Sequence, residues 1–424
     1  MKTTFGKRTR GIAWLFMLIY FGSYLLRIHF TVMLVRICSD LQVEKSTISI
    51  VITALTITYG LGQVINGWIG DKINSQRMLS AGLILAILCN IAMFFSHTIP
   101  VMTVIWGING FAHSMLWPPM VRLMSLYLDD HEYSYAAVRV SWGSCFATIL
   151  LYSVCPLLLS VTGWRNIILL CAFLGCGILI TWLILAPKLF CDPPALGNRT
   201  ESAAGAVLEP RKLPRFTYPA LLLIILGIIF QGMLRDGVTN WMPSFLLETF
   251  GLSEEYSIFS TVILAIFSVI SFAVFDLVHR KIFRNEVFCS AMIFGFSLIS
   301  AVLLFLVHSL SSPVVLSMLL MALIVGSMHG INLMLLSIVP KRLIKSGRIS
   351  TFSGILNAGT YIGSALASYG FAALAEQKGW GFTLFSWILV SAGGLAVCLI
   401  AAPLWKRFRR EYSDCDDESP QTLS

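Results

Sequence analysis

Residues 217–246, TYPALLLIILGIIFQGMLRDGVTNWMPSFL, carry charge only at Arg235 and Asp236. About 20 apolar residues in helical form cross about 30 Å of hydrocarbon, so this stretch reads as a membrane-spanning helix. A counterpart lies at 11–36, GIAWLFMLIYFGSYLLRIHFTVMLVR, where Leu26-Arg27 echoes Leu234-Arg235. Each arginine sits about sixteen residues into the first long apolar run of its half of the chain. An arginine near mid-bilayer costs about 2.5–3.5 kcal/mol on insertion scales and is kept where it faces a polar cavity, a partner or a substrate. Two at matched depth mark a central anion site.

Outward from these two runs the same pattern recurs. Apolar spans are expected at 11–36, 46–69, 78–96, 100–127, 136–161, 165–187, 217–246, 257–279, 286–308, 313–339, 349–375 and 380–404. A composition of 57% hydrophobic and 12% charged residues, with mean hydropathy +0.82, excludes an ordinary water-soluble domain. Because lipid offers backbone groups no partners, the spans must be helices. The expectation is an all-α polytopic membrane protein of twelve transmembrane helices. The break rich in Pro, Gly and Ser at 188–216 divides it into a six-helix half at 1–187 and another at 217–405, with a tail at 406–424. Six plus six is the plan of transporters built as repeats around a midplane site.

The net charge of +9 could suggest nucleic acid in a soluble chain, but here the distribution gives orientation. With the N-terminus cytoplasmic, 22 of the 30 Lys and Arg residues fall on the inner side, so both termini are expected in the cytoplasm, with the bilayer a plasma (inner) membrane. The first apolar stretch is too long for a signal-peptide core and is expected to stay as a helix. Ten cysteines, mostly within apolar spans and without a CxxC pair, read as reduced packing thiols and not as metal ligands. The sequon Asn198-Arg199-Thr200 is placed in the cytoplasm by this orientation and is discounted, and the acidic run from Glu411 to Glu418 reads as a solvated end.

The loop after the second span, Gly67-Trp68-Ile69-Gly70-Asp71-Lys72 followed by Arg77, resembles the Gly-x-x-x-Asp-Arg/Lys signature of the major facilitator superfamily. Its glycines permit a tight inter-helix turn, and its aspartate can meet basic groups or a helix N-terminus. Gly67, Asp71 and Arg122 are therefore gating candidates, with Asp71, Asp129 or Asp130 as partners for Arg122. After span eight the corresponding turn keeps Asp276, Arg280, Lys281 and Arg284 but no glycine, which predicts an asymmetric gate.

Within that superfamily the chain resembles the organophosphate:phosphate antiporters. The resemblance rests on Tyr24-Leu25-Leu26-Arg27, on Tyr59-Gly60 with the Asp71 loop, on Trp117-Pro118-Pro119 followed by Arg122, and on Arg235-Asp236-Gly237-Val238 through Asn240-Trp241-x-Pro243. It extends to Ser353-Gly354 and Tyr361-Ile362-Gly363. The resemblance implies that Arg27 and Arg235 hold phosphate from the two halves. A guanidinium suits that task because its planar fork binds phosphate oxygens in pairs. Tyr24, Tyr59, His113, Asn240 and Tyr361 are the further substrate-binding candidates, whereas His29 and His329 read as packing residues. Asp236 is not expected to hold Arg235, since consecutive helical residues point to different faces. Arg139 matches no motif.

The chain departs from the family pattern at Ile28 and Gln63, where lysines are usual, and at Cys145 in place of a histidine. A smaller or less charged anion follows as one outcome, such as a monoanionic phosphoester, a phosphonate or a carboxylate. Trp117-Pro118-Pro119 and Gly359-x-x-x-Gly363 read as helix-shaping segments.

The expected function is alternating-access exchange of a phosphate ester for inorganic phosphate, because an empty site with two unneutralised arginines resists closing. The alternatives are a proton-coupled symporter of an organic carboxylate and a transporter-like sensor of phosphate esters. No nucleotide loop, zinc motif or nucleophile elbow is present, so no enzyme activity, cofactor or metal is expected. The expected partners are the small anion, inorganic phosphate and lipid, not nucleic acid, with the protein a monomer.

Overall fold

A computed structural model describes residues 5–191, 211–253, 256, 259–310 and 313–413. The middle of the 188–216 linker with its sequon and most of the acidic tail lie outside the described residues, which contain helix and no strand.

Twelve long helices, α1 to α12, occupy the expected spans, and eleven of the described helices are long and apolar enough to cross a membrane. They begin with α1 (Lys7–Val32), α2 (Lys45–Gly70), α3 (Ser75–Phe94), α4 (Ile99–Ser114 and Trp117–Tyr127), α5 (Asp130–Leu159) and α6 (Trp164–Leu189). The second set is α7 (Thr217–Phe250), α8 (Val262–Lys281), α9 (Glu286–Ser309) and α10 (Val314–Arg342), then α11 (349–378) and α12 (380–408). A short helix, Leu34–Leu41, links α1 to α2.

Local chemistry explains the breaks. In α4 the turn at Met115 and Leu116 precedes a new helix whose first turn holds Pro118 and Pro119, where the missing N–H and the fixed φ are tolerated. Between α11 and α12 the helical trace runs on from Ile349 to Phe408, 60 residues, about 90 Å and three times the hydrocarbon thickness. It folds back at Gly379, whose φ of 80° and ψ of 174° suit only glycine. In α10 residues Leu333–Ile338 are π-helical, a widened turn found often at functional positions.

Packing repeats between the halves. The principal pairs are α1 with α5, α2 with α4 and α3 with α6, matched by α7 with α11, α8 with α10 and α9 with α12. The halves meet through α2 against α11 and α5 against α8, again a matched exchange, with the second piece of α4 also on α11.

Both ends of the described chain lie on one face, the terminal face. There Thr9 of α1 donates to Glu132, and Arg409 near the C-terminal end donates to the Arg284 carbonyl beside α9. The links α2–α3, α4–α5, α8–α9 and α10–α11 emerge on the same face.

Candidate anion site between the halves

Arg27 points inward from α1 and is 8% exposed. Its guanidinium lies 4.4 Å from the Tyr24 ring centre and 4.9 Å from that of Tyr59 on α2. The ring faces stabilise the cation by about 0.5–2 kcal/mol each, yet they leave its donors free for an anion. Nε is buried with no hydrogen-bond partner, and no carboxylate pairs with Arg27 among the described residues.

Two side-chain amides fix the α1 turn that carries it. Asn90 of α3 and Asn109 of α4 both donate to the Leu26 carbonyl, at 2.9 and 3.2 Å. In the other half Gln231, one turn before Arg235, donates to the Met328 carbonyl of α10 at 3.1 Å. Such bonds hold helices together where lipid gives no hydrophobic drive.

Arg235 behaves differently, and here the expectation fails. Its Nε and Nη2 donate to the two Asp236 oxygens at 2.6 and 2.8 Å, a bidentate fork between sequence neighbours. Backbone directions of consecutive residues do diverge, but the long arginine stem curls back and brings the planar groups together. The pair is only partly exposed, 16% and 22%.

Both guanidiniums have the phenols of Tyr24 and Tyr361 as electrostatic neighbours, so charges from the two halves converge on shared aromatic walls. Tyr59 and Tyr361 meet edge to face across the seam, with ring centres 4.5 Å apart. His113 is buried, its Nδ1 bonded to the Ser23 hydroxyl at 3.1 Å and its Nε2 without a partner. Asn240 stands apart: it is exposed, and five residues after Arg235 it lies about 140° round the helix. His29 bonds to the Leu25 carbonyl of its own helix and packs edge-on to Trp106, while His329 contacts Ser268 and Val325.

Several residues at the site carried no sequence signal. Tyr20, one turn before Tyr24, stacks obliquely between Tyr24 and Trp117 and is an electrostatic neighbour of Arg27. Tyr20, Ser23, Asn90, Asn109 and Gln231 all sit in apolar runs where single polar residues read as packing. Gln63, one turn from Tyr59, is fully buried with both amide atoms unpartnered.

At the terminal face the gating candidates come together. Asp71 accepts from the Ser350 and Thr351 amides at 2.8 and 2.9 Å and from the Thr351 hydroxyl at 2.5 Å. Arg348, the N-cap of α11, makes no side-chain cap, so Asp71 caps that helix from the other half. Close approach requires glycine at 67, where a Cβ would lie 2.7 Å from the Ser350 carbonyl oxygen. Arg122 donates to the carbonyls of Gly70 and Ile73, at 2.6 and 3.3 Å, and so braces the turn that presents Asp71.

The last turns of α8 reach the corresponding place. Asp276 accepts from Ser134 of α5 and pairs with Arg280 at 2.5 Å. Because α5 carries its own capping box of Asp129 and Glu132, Asp276 is not needed there as a cap. Lys341 and Arg342 add a further latch on Asp130, while Arg342 also holds the buried Glu286 at 2.9 Å. Arg139 lies along α5, its guanidinium 3.3 Å from the Tyr135 ring centre.

The chain matches a family model described as Major Facilitator Superfamily over residues 16–368. A probable hexose phosphate transport protein of Chlamydia muridarum (strain MoPn / Nigg) is 24% identical, covering 91% of this chain and 88% of that one. Its counterpart in Chlamydia trachomatis is 26% identical over 56% of each chain. The glycerol-3-phosphate transporter of Bacillus subtilis (strain 168) is 24% identical, covering 90% of this chain and 89% of its own length. Among solved structures, the proton:xylose symporter XylE aligns with TM-score 0.72 at 12% identity, over 94% of this chain and 95% of that one, a likeness of fold. The chain belongs to the major facilitator superfamily, and within it is similar to transporters of phosphate esters, in agreement with the resemblance carried by its arginine, proline and glycine motifs.

Proposed function

We propose that this protein carries a phosphate ester across the plasma membrane in exchange for inorganic phosphate, by alternating access of a site between its two halves. The observation that carries the reading is Arg27: a buried guanidinium stacked on two tyrosines, without a carboxylate, facing phenols that Arg235 shares from the other half. Dehydrating an anion requires strong compensating donors, and a free guanidinium supplies them. Tyr24, Tyr59, Tyr361 and His113 complete the donor set.

The Arg235–Asp236 fork alters the argument for exchange. The empty site does not hold two bare cations, but Arg27 alone remains uncompensated, and closing the halves over one buried charge is still costly. A returning phosphate removes that cost. With both termini in the cytoplasm, the Asp71 and Asp130 latches close the inner side.

Liposomes loaded with radiolabelled phosphate test this. External glycerol 3-phosphate is expected to drive label efflux through wild-type protein and not through Arg27→Ala/Arg235→Ala. Equal efflux without any external anion contradicts exchange, and efflux driven by carboxylates alone contradicts the ester assignment.

A further inference from the structure

We infer that Asp236 sets the charge of the transported species: by occupying Arg235 it leaves the site with one net positive charge, matched to a monoanion. The inference rests on the anion-site reading above and goes beyond it.

Three groups define the sum. Arg27 contributes a cation without a carboxylate, and Arg235 a cation already satisfied by both oxygens of Asp236 at 2.6 and 2.8 Å. A monoanion brings the site to neutrality. A dianion leaves an uncompensated negative charge beside Asp236 or must break the fork, and either outcome is expensive away from water. Ile28 beside Arg27 and the fully buried Gln63 one turn from Tyr59 are neutral and add no positive charge. Ser364 and Tyr361 of α11 and His329 of α10 are the other polar or titratable groups facing the pair, with Tyr24 from α1.

Phosphate monoesters offer a direct test because their second pKa lies near 6, so acid favours the monoanion. The methyl diester of glycerol 3-phosphate stays a monoanion throughout. It separates titration of the substrate from titration of the protein, including His329.

Initial exchange rates would be measured in phosphate-loaded liposomes held at about pH 5.5 inside, so that the returning phosphate stays a monoanion, and at about pH 5.5 or about pH 8 outside for both compounds, with wild type, Asp236→Asn and Asp236→Glu. Wild type is expected to accept the diester with little pH dependence and to lose at least about tenfold in monoester rate at the higher pH. Asp236→Asn should reverse the monoester profile, gaining about fourfold with pH as the dianion forms, and should disfavour the diester. Asp236→Glu should keep the wild-type profile.

Wild type that moves the monoester but excludes the diester, or whose diester rate falls with external pH as the monoester's does, overturns the inference whatever the variants do. An active Asp236→Asn with an unchanged monoester profile also overturns it. Wild type that moves neither compound but exchanges a monocarboxylate refutes the phosphate-ester function while supporting the monoanion rule.

Discussion

Arg27 and Arg235 occupy matched sequence positions and do different work. Arg27 is backed by aromatic faces that hold a cation without using its donors, whereas Arg235 is already forked to Asp236. Lysine at 27 keeps the charge but loses the planar fork and the stacking over Tyr24 and Tyr59. Arg27→Lys is therefore expected to lose about 1.5–3 kcal/mol of binding, about 10- to 150-fold in the KM for phosphate ester exchange. An unchanged KM would reject the fork. Arg27 was legible in the sequence because a charge in an apolar run demands a reason. The Arg235–Asp236 pairing was not, because the helical-wheel rule treats side chains as radial spokes and ignores how far an arginine stem can bend. Tyr20, Ser23 and the Leu26-binding asparagines escaped for another reason: their roles depend on which helix packs opposite, and that is a tertiary fact.

Helix α11 begins without a cap of its own and borrows one from the turn after α2, whereas α5 is capped by Asp129 and Glu132 from its own chain segment. The first turn of α11 thus loses a partner whenever the terminal face opens. Asp71→Ala should weaken the closed arrangement by about 1 kcal/mol, roughly fivefold in population. The readout is alkylation of a cysteine at the buried Ser353, which should rise by about that factor in a background lacking other reactive thiols. No change would mean that Asp71 does not latch this face. At this scale the sequence was informative, since the twelve apolar runs, the prolines that restart α4 and the polar break before α12 all have compositional signatures. The π-helical stretch of α10 has none, because a widened turn uses the same apolar residues as an ordinary one.

Across the whole molecule the halves repeat each other's packing and exchange α2–α11 and α5–α8 contacts, so the site lies on the seam that must open and close. The six-plus-six division followed from the run of spans and the linker composition. The asymmetry of the gate was also expected, from the missing glycines after α8, but its form was not: Asp276 still bonds across to α5. One anion held from both halves is the central claim, and equilibrium binding of radiolabelled glycerol 3-phosphate to purified protein tests it most directly. Arg27→Ala and Arg235→Ala should each weaken saturable wild-type binding by at least about tenfold, the second also leaving Asp236 uncompensated within the site. Binding that survives loss of either arginine with unchanged Kd would contradict the account.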